Sequence, residues 1–396
     1  MKTKASLHRV RDLCKSLCRM KYLTTAFFSL ALFSMLHGAD WVKHTVMDSG
    51  RCNTAVAADY SGDGKMDVIA SYPGKVSLFT APEWKETVLK RFAKMNTTCI
   101  HSETLDVDGD GDADWVGTDA GAHPFWLENP GDGTGAWAER QVDPDITGIH
   151  CLLKADVDND GKLDVIINNF GPDGVLGDSI AWFSIPKNPR KAKQWDRHVF
   201  ADKDARGGSH YFGFGDINGD GFGEIAVGAK GAPFEDGNWF AFWTNPGEKG
   251  VKGPWKKTIL AENQLAATNI LPGDLNGDGE VDFLASRGHS AGVLWFEGPD
   301  WEIHEIDADL KSPHSLTLAD HDGDGDLDGA SCGYESKRMM WYENDGEGNF
   351  TAHTLDEDQE SYDLRTVDMD GDGDLDLLNA GRGSANVVWY ENRVGE

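Results

Sequence analysis

Seven short stretches of this 396-residue chain carry oxygen side chains at one fixed spacing. They read DYSGDGKMD at 59–67, DVDGDGDAD at 106–114, DVDNDGKLD at 156–164, DINGDGFGE at 216–224, DLNGDGEVD at 274–282, DHDGDGDLD at 320–328 and DMDGDGDLD at 368–376. Positions 1, 3, 5 and 9 each offer a side-chain oxygen, and glycine at position 6 lets the chain turn back so that the carbonyl of position 7 can join them. Hard oxygens on a flexible loop select calcium, because magnesium demands a tighter octahedron. The expected ligands are Asp59, Ser61, Asp63 and Asp67 in the first loop, Asp106, Asp108, Asp110 and Asp114 in the second, and Asp156, Asp158, Asp160 and Asp164 in the third. The fourth and fifth offer Asp216, Asn218, Asp220, Glu224 and Asp274, Asn276, Asp278, Asp282. The last two offer Asp320, Asp322, Asp324, Asp328 and Asp368, Asp370, Asp372, Asp376. One such loop alone reads equally well as a solvated hairpin turn, whereas seven in register do not. The closing acid stands at position 9, not at the position 12 of an EF-hand, and no helical pattern flanks it, so the loops belong on β-hairpins. Ser61 leaves the first loop an acid short, and that loop is expected to bind most weakly.

The elements that must hold these loops recur with them. Successive copies begin 46 to 60 residues apart, and between them lie short runs rich in Val, Ile, Phe, Trp and Thr bounded by Gly, Pro and Asn. In the sixth repeat the strands are expected at 314–319, 327–333, 339–343 and 350–355. Four strands per repeat of about 50 residues define a propeller blade. Third strands carry an aromatic at Phe79, Trp126, Trp182, Trp243, Trp295, Trp341 and Trp389, and fourth strands at Trp84, Trp137, Trp195, Trp255, Trp301 and Phe350. The seventh repeat lacks a fourth strand, and WVKHTV at 41–46 has its pattern. The fold expected is therefore all-β, a closed seven-bladed propeller whose N-terminal strand completes the last blade and hides two sheet edges.

These loops and outer-strand tryptophans resemble FG-GAP/VCBS repeats, the family that includes the calcium-loop propeller of integrin α subunits. The resemblance spans residues 41–396 and implies calcium at positions 1, 3, 5 and 9 between the first and second strands. The Phe-Gly and Gly-Ala-Pro marks of the family survive only as Phe214-Gly215 and Gly231-Ala232-Pro233. The fold follows from it more firmly than an integrin-like adhesive role.

Residues 1–39 hold seven Lys/Arg, an apolar run from Tyr22 to Leu36 and small residues at Gly38 and Ala39, the pattern of a secretory signal peptide. The expected mature chain, 40–396, is then one propeller, secreted, periplasmic or at the cell surface, and monomeric. The run is too short to span a bilayer. Of the net charge of −30, export removes net positive charge and leaves −36, which seven calcium ions would bring to −22. Calcium is thus expected to be a folding cofactor. Such acidity excludes a nucleic-acid binder. An aromatic content of 10% excludes a disordered acidic tail. Cys52, Cys99, Cys151 and Cys332 fit no zinc spacing, and Cys52 and Cys99 are either a disulfide pair or free thiols.

The face opposite the loops collects other chemistry. His101, His150, His210 and His314 stand five or six residues before the first Asp of their loops, with Asn53, Asn269 and Tyr362 in comparable places, so they should ring the channel mouth. The connections between second and third strands add His123, His289, Lys75, Lys230, Arg287, Lys337, Arg338 and Arg382, with Tyr72, Tyr211, Tyr334, Phe234 and Trp239 nearby. Each histidine alone reads as a strand cap. Together they suggest a polar funnel for a carboxylated ligand, while a histidine zinc site has no diagnostic spacing here. The favoured reading is a secreted calcium propeller that binds an acidic glycan or an extracellular protein. The alternative is a polysaccharide lyase or sugar dehydratase, with Arg287 or Arg382 neutralising the carboxylate, His150 or His210 as base and Tyr211 as acid. Trp239, Lys230, Arg338, His101, His123, His289 and His314 are the further ligand contacts expected.

Overall fold

The computed structural model describes residues 41–118, 122–133 and 135–394. The expected signal peptide at 1–39 lies outside them. Among the described residues every regular element is a strand, and the strands form seven four-stranded antiparallel sheets. No helix among them is long and apolar enough to cross a membrane. The innermost strands are Thr54–Ala58, Ser102–Leu105, Ile149–Ala155, Ser209–Gly215, Asn269–Gly273, Pro313–Ala319 and Asp363–Val367. Each is followed by its nine-residue loop and a second strand that is buried at every position, such as Asp164–Asn169 and Glu224–Ala229. A run buried on both faces reads as continuous apolar sequence, not as alternation, because both faces meet a neighbouring blade.

Ring closure follows the expected route. Trp41–Met47 pairs with Asn386–Asn392, Trp41 lying opposite Asn392 and His44 opposite Trp389. The first strand among the described residues thereby supplies the outer strand of the seventh blade. His44 stacks on Trp389 with ring centroids 4.3 Å apart, and the same pairing recurs for His198 on Trp182 at 4.2 Å, His304 on Trp295 at 4.5 Å and His353 on Trp341 at 4.7 Å. Fourth-strand histidines are thus lids for third-strand tryptophans.

The fourth-strand aromatics need a correction. Trp84, Trp137, Trp195, Trp255 and Trp301 each fall one residue before their strand, and only Phe350 lies within one. From the turn they reach between blades, as Trp255 does against Phe200 of the preceding blade at 4.6 Å. Cys52, Cys99, Cys151 and Cys332 are all free and buried, so the two alternatives for Cys52 and Cys99 resolve to thiols. Burial holds the Cys99 and Cys332 thiols up at about 12, far from thiolate.

Position 9 of the loops does a second job. Asp114 accepts the Val107 N–H at 3.0 Å with one oxygen and the Asn129 N–H at 2.7 Å with the other, tying the loop to the turn between third and fourth strands. Asp328 and Asp376 repeat both bonds, to His321 and Asn344 and to Met369 and Asn392. The asparagine of that turn also reaches back one blade. Asn129 donates to the Tyr60 carbonyl, Asn245 to Val157, Asn344 to Leu275 and Asn392 to His321, at 2.6 to 3.0 Å. Loop, turn and neighbouring blade are thereby one hydrogen-bonded unit, which satisfies backbone groups that would otherwise be buried unpaired.

Candidate functional site at the two mouths of the channel

The acidic loops occupy one face. Asp106 accepts the N–H groups of Gly109 at 2.8 Å, Asp110 at 3.2 Å and Gly111 at 3.0 Å, so position 1 shapes the turn with its own carboxylate. Oxygens of Asp106, Asp108 and Asp114 lie within 4.8 Å of one another, as do those of Asp156, Asp158 and Asp164, and of Asp320, Asp322 and Asp328. Ser61 Oγ and Asp158 Oδ1 are buried with no hydrogen-bond partner. In the second loop Arg190 reaches across from the next blade and sets its guanidinium 2.8 Å from Asp108 and 2.6 Å from Asp110. Burial, with repulsion between neighbouring carboxylates, raises Asp114, Asp164, Asp328 and Asp376 to about 7. Orphaned oxygens, hard donors and a borrowed cation all fit a divalent ion of the calcium class.

The channel beneath is plugged. Arg365 donates to Glu103 at 2.8 Å and approaches Asp363 at 3.3 Å, while its other nitrogen lies 2.8 Å from His101 Nε2. Asp363 in turn accepts from Thr54 Oγ1 at 2.8 Å. His101 is therefore drawn into this ion network, away from the ring of histidines in which it was expected. Its register explains this: His101 stands five residues before its loop, whereas His150, His210 and His314 stand six before theirs. A cavity of about 410 Å³ runs along the inner strands past Glu103, Asp363, Arg365 and Tyr211.

At the opposite mouth His150, His210 and His314 converge, each offering a ring nitrogen within 4.8 Å of the other two. They come from blades 3, 4 and 6. His289, from the hairpin of blade 5, lies with Nε2 2.8 Å from His210 Nε2. Rings of His210, His289 and His314 are 5.0 to 5.1 Å apart, and His150 is 4.2 Å from His210. The Tyr211 ring packs 5.1 Å from His314, and its hydroxyl is buried without a partner. Burial lowers His150 to about 3 and holds His210 and His314 well below the usual imidazole range, so all three are neutral.

Two stacks flank the cluster. Phe170 lies on His150 at 4.3 Å with the Lys230 ammonium 5.6 Å from the Phe170 ring, and Tyr362 lies on His314 at 3.4 Å with Arg382 4.3 Å from the Tyr362 ring. Among the described residues Lys230 and Arg382 have no carboxylate partner, whereas Arg287 pairs with Glu305, Lys75 with Glu86 and Lys337 with Glu360. Arg287 also donates to Gln264 at 3.0 Å, so it braces the hairpin that carries His289. His123 is exposed and bonds the Ile146 carbonyl at 2.8 Å, as a loop cap does. Trp239, expected as a ligand contact, is 6% exposed in the core with its N–H on the Asp236 carbonyl. Arg338 is exposed at the start of its strand.

Asn168 and Phe170 escaped the sequence reading. Asn168 accepts the N–H groups of Cys151 at 2.8 Å and His150 at 3.3 Å, and donates to the carbonyls of Ser209 and His210, both at 2.8 Å. One amide thus joins the two strands that carry His150 and His210. The NNF run at 168–170, ending a second strand, was the signal available.

Seven acidic hairpin loops on one mouth of a closed ring and a neutral histidine cluster on the other define a seven-bladed β-propeller with two chemically distinct faces. The model of the FG-GAP-like repeat matches residues 106–167 and 320–379, and that of the FG-GAP repeat matches 212–239. With the seven blades, these matches make the chain an FG-GAP repeat β-propeller protein. It is similar in fold to a streptogramin B lyase structure at 12% identity and a TM-score of 0.59, with 89% of this chain and 98% of that one covered. It is likewise similar to BBS1N in complex with ARL6DN, at 11% and 0.59 with 90% and 97% covered, and to YCF48 bound to D1 peptide, at 12% and 0.52 with 89% and 96% covered. No curated protein sequence matches the chain.

Proposed function

We propose that this propeller is a secreted, calcium-loaded module that binds a carboxylated ligand, an acidic glycan of the uronate class, at the histidine mouth. The observation that carries the reading is the pair of unneutralised cations, Lys230 and Arg382, each held over an aromatic ring that stacks on a cluster histidine. In a chain with a net charge of −30, cations without acidic partners mark where an anion is accepted. Aromatic rings beside them offer faces for sugar C–H groups. Calcium at the far mouth stiffens the loop–turn units and takes no part in the contact.

The test is titration of calcium-loaded protein with uronic-acid oligosaccharides and their neutral counterparts by calorimetry. Binding of the acidic series only, weakened about tenfold or more by Lys230→Ala or Arg382→Ala, is expected. Equal binding of both series removes the reading. A second reading, elimination chemistry on the same ligand, draws on the unpartnered Tyr211 hydroxyl beside neutral imidazoles. There Lys230 or Arg382, not the occupied Arg287, would neutralise the carboxylate. Absorbance of a newly formed unsaturated uronate checks it, and a flat trace with a bound substrate rules it out.

A further inference from the structure

We propose that His150, His210 and His314 form a binding site for one late first-row divalent ion of the zinc class, distinct from the acidic loops. Three independent observations place it there. The first is donor chemistry: three imidazole nitrogens lie within 4.8 Å of one another. Ions at about 2.1 Å from nitrogen need donors about 3.4 Å apart, a closure that small ring rotations supply. All-nitrogen donors suit zinc, cobalt and nickel and are poor for calcium, so the two mouths would sort different metals.

The second is that each of the three rings keeps one buried nitrogen without a partner. His150 Nε2, His210 Nδ1 and His314 Nε2 are buried and have no hydrogen-bond partner. His314 Nδ1 faces the Tyr362 carbonyl at 3.0 Å, which makes that nitrogen the N–H and leaves Nε2 with its lone pair toward the cluster. A histidine whose far nitrogen is held by a carbonyl is oriented as metal-binding histidines are. Strand caps would instead spend both ring nitrogens on backbone.

The third lies in the backbone. Of the seven pairings between innermost and second strands, those of blades 3, 4 and 6 carry an irregularity. It falls between Ile149 and Leu152, between Ser209 and Phe212, and between Pro313 and Ser315, so each spans a cluster histidine. The other four pairings are regular. One extra residue in the inner strand bends it and re-aims the side chain there. Three separate blades therefore depart from the repeat at the one position that turns a histidine inward, and Asn168 stitches two of these bulges together.

The inference stands without the glycan reading, since it concerns the cluster alone. Its test is cobalt substitution in the full-length, calcium-saturated protein. One equivalent of Co²⁺ is expected to give the intense visible bands of a tetrahedral nitrogen site, displaced by one equivalent of Zn²⁺. Cobalt in the oxygen loops gives only weak octahedral absorption. His150→Gln and His314→Gln are expected to weaken binding on the order of 100-fold while the calcium-dependent melting temperature stays unchanged. A weak octahedral spectrum alone, or a strong one that survives both substitutions, overturns the site. Because the spectrum is read first on the unaltered protein, a variant that fails to fold does not remove the test. Strong cobalt bands with no uronate binding would overturn the glycan reading and leave this one standing, and the reverse result would do the opposite.

Discussion

The two mouths of the propeller are built on opposite plans. On the loop face one nine-residue pattern is written seven times, each blade carries oxygen side chains at positions 1, 3, 5 and 9, and the closing carboxylate of each accepts a backbone N–H of its own loop. On the histidine face no blade holds a site. Blades 3, 4 and 6 each give one ring, the hairpin of blade 5 leans in a fourth, and the remaining inner-strand positions hold Asn53, His101, Asn269 and Tyr362. Under the readings proposed above, repetition would serve stability and departure from the repeat would serve specificity. A repeat yields seven equal copies, so a single asymmetric pocket on the axis can arise only where blades differ.

That contrast can be broken by stripping the calcium proposed for the loops. A chelator followed by exhaustive dialysis is expected to lower the melting temperature by at least about 10 °C, because several coupled sites each contribute as a ligand bound to the native state alone. Calcium without zinc should restore it. A melting temperature indifferent to the chelator would make the loops ordinary turns.

Next in size is the plug between the mouths. Arg365→Met strands Glu103 and Asp363 without their cation and is expected to cost about 3–5 kcal/mol in chemical denaturation, since breaking a buried pair leaves a charge uncompensated. A loss under about 1 kcal/mol would mean that water, not Arg365, satisfies these acids.

Asn168→Ala should cost about 3 kcal/mol through the N–H and carbonyl groups it leaves unpaired. It should also abolish the cobalt bands while sparing the calcium response of the melt. Loss of both responses together would show that the two faces are not separable.

The faces also differ in the sign of their pH dependence. His150 lies near 3 in the folded chain and near 6.5 in the unfolded one, with His210 and His314 shifted the same way. The unfolded state therefore takes up protons first. This contribution to stability is complete above about pH 6.5 and is lost as the pH falls toward 3. The metal-free carboxylates of Asp114, Asp164, Asp328 and Asp376, near 7 when folded and about 4 when unfolded, act in reverse. Their contribution is complete below about pH 4 and is lost as the pH rises to 7. Calcium replaces those protons, so the stabilisation it confers should grow from pH 5 to pH 8, read as paired melts with and without calcium. A pH-independent increment would show that position 9 stays ionised in the empty loops.

The smallest effect is expected at Arg190, which occupies the second loop with a side chain. Arg190→Ala removes that internal competitor and should tighten calcium at this one loop, seen as one site of the seven shifting in a calorimetric titration. Weaker binding there would mean that Arg190 organises the donors.

The architecture was open to reading because every blade repeats its instructions within about 50 residues. The DxDxDGxxD loop, the third-strand tryptophan and the orphan strand at 41–46 are local patterns, and ring closure is their arithmetic. Also legible was the set of polar residues at the entry to the inner strands. What local pattern could not give was which of them meet. His101 and His150 look alike in sequence, yet one residue of register sends the first to Arg365 and a bulge turns the second to His210. Likewise Arg287 looked as free as Arg382 until folding set Glu305 beside one and Tyr362 beneath the other. Composition and spacing decided the ring and its donor loops, since these depend on neighbours in sequence. The pocket depends on side chains from blades far apart in the chain converging on one axis, and only the closed tertiary structure brings them together.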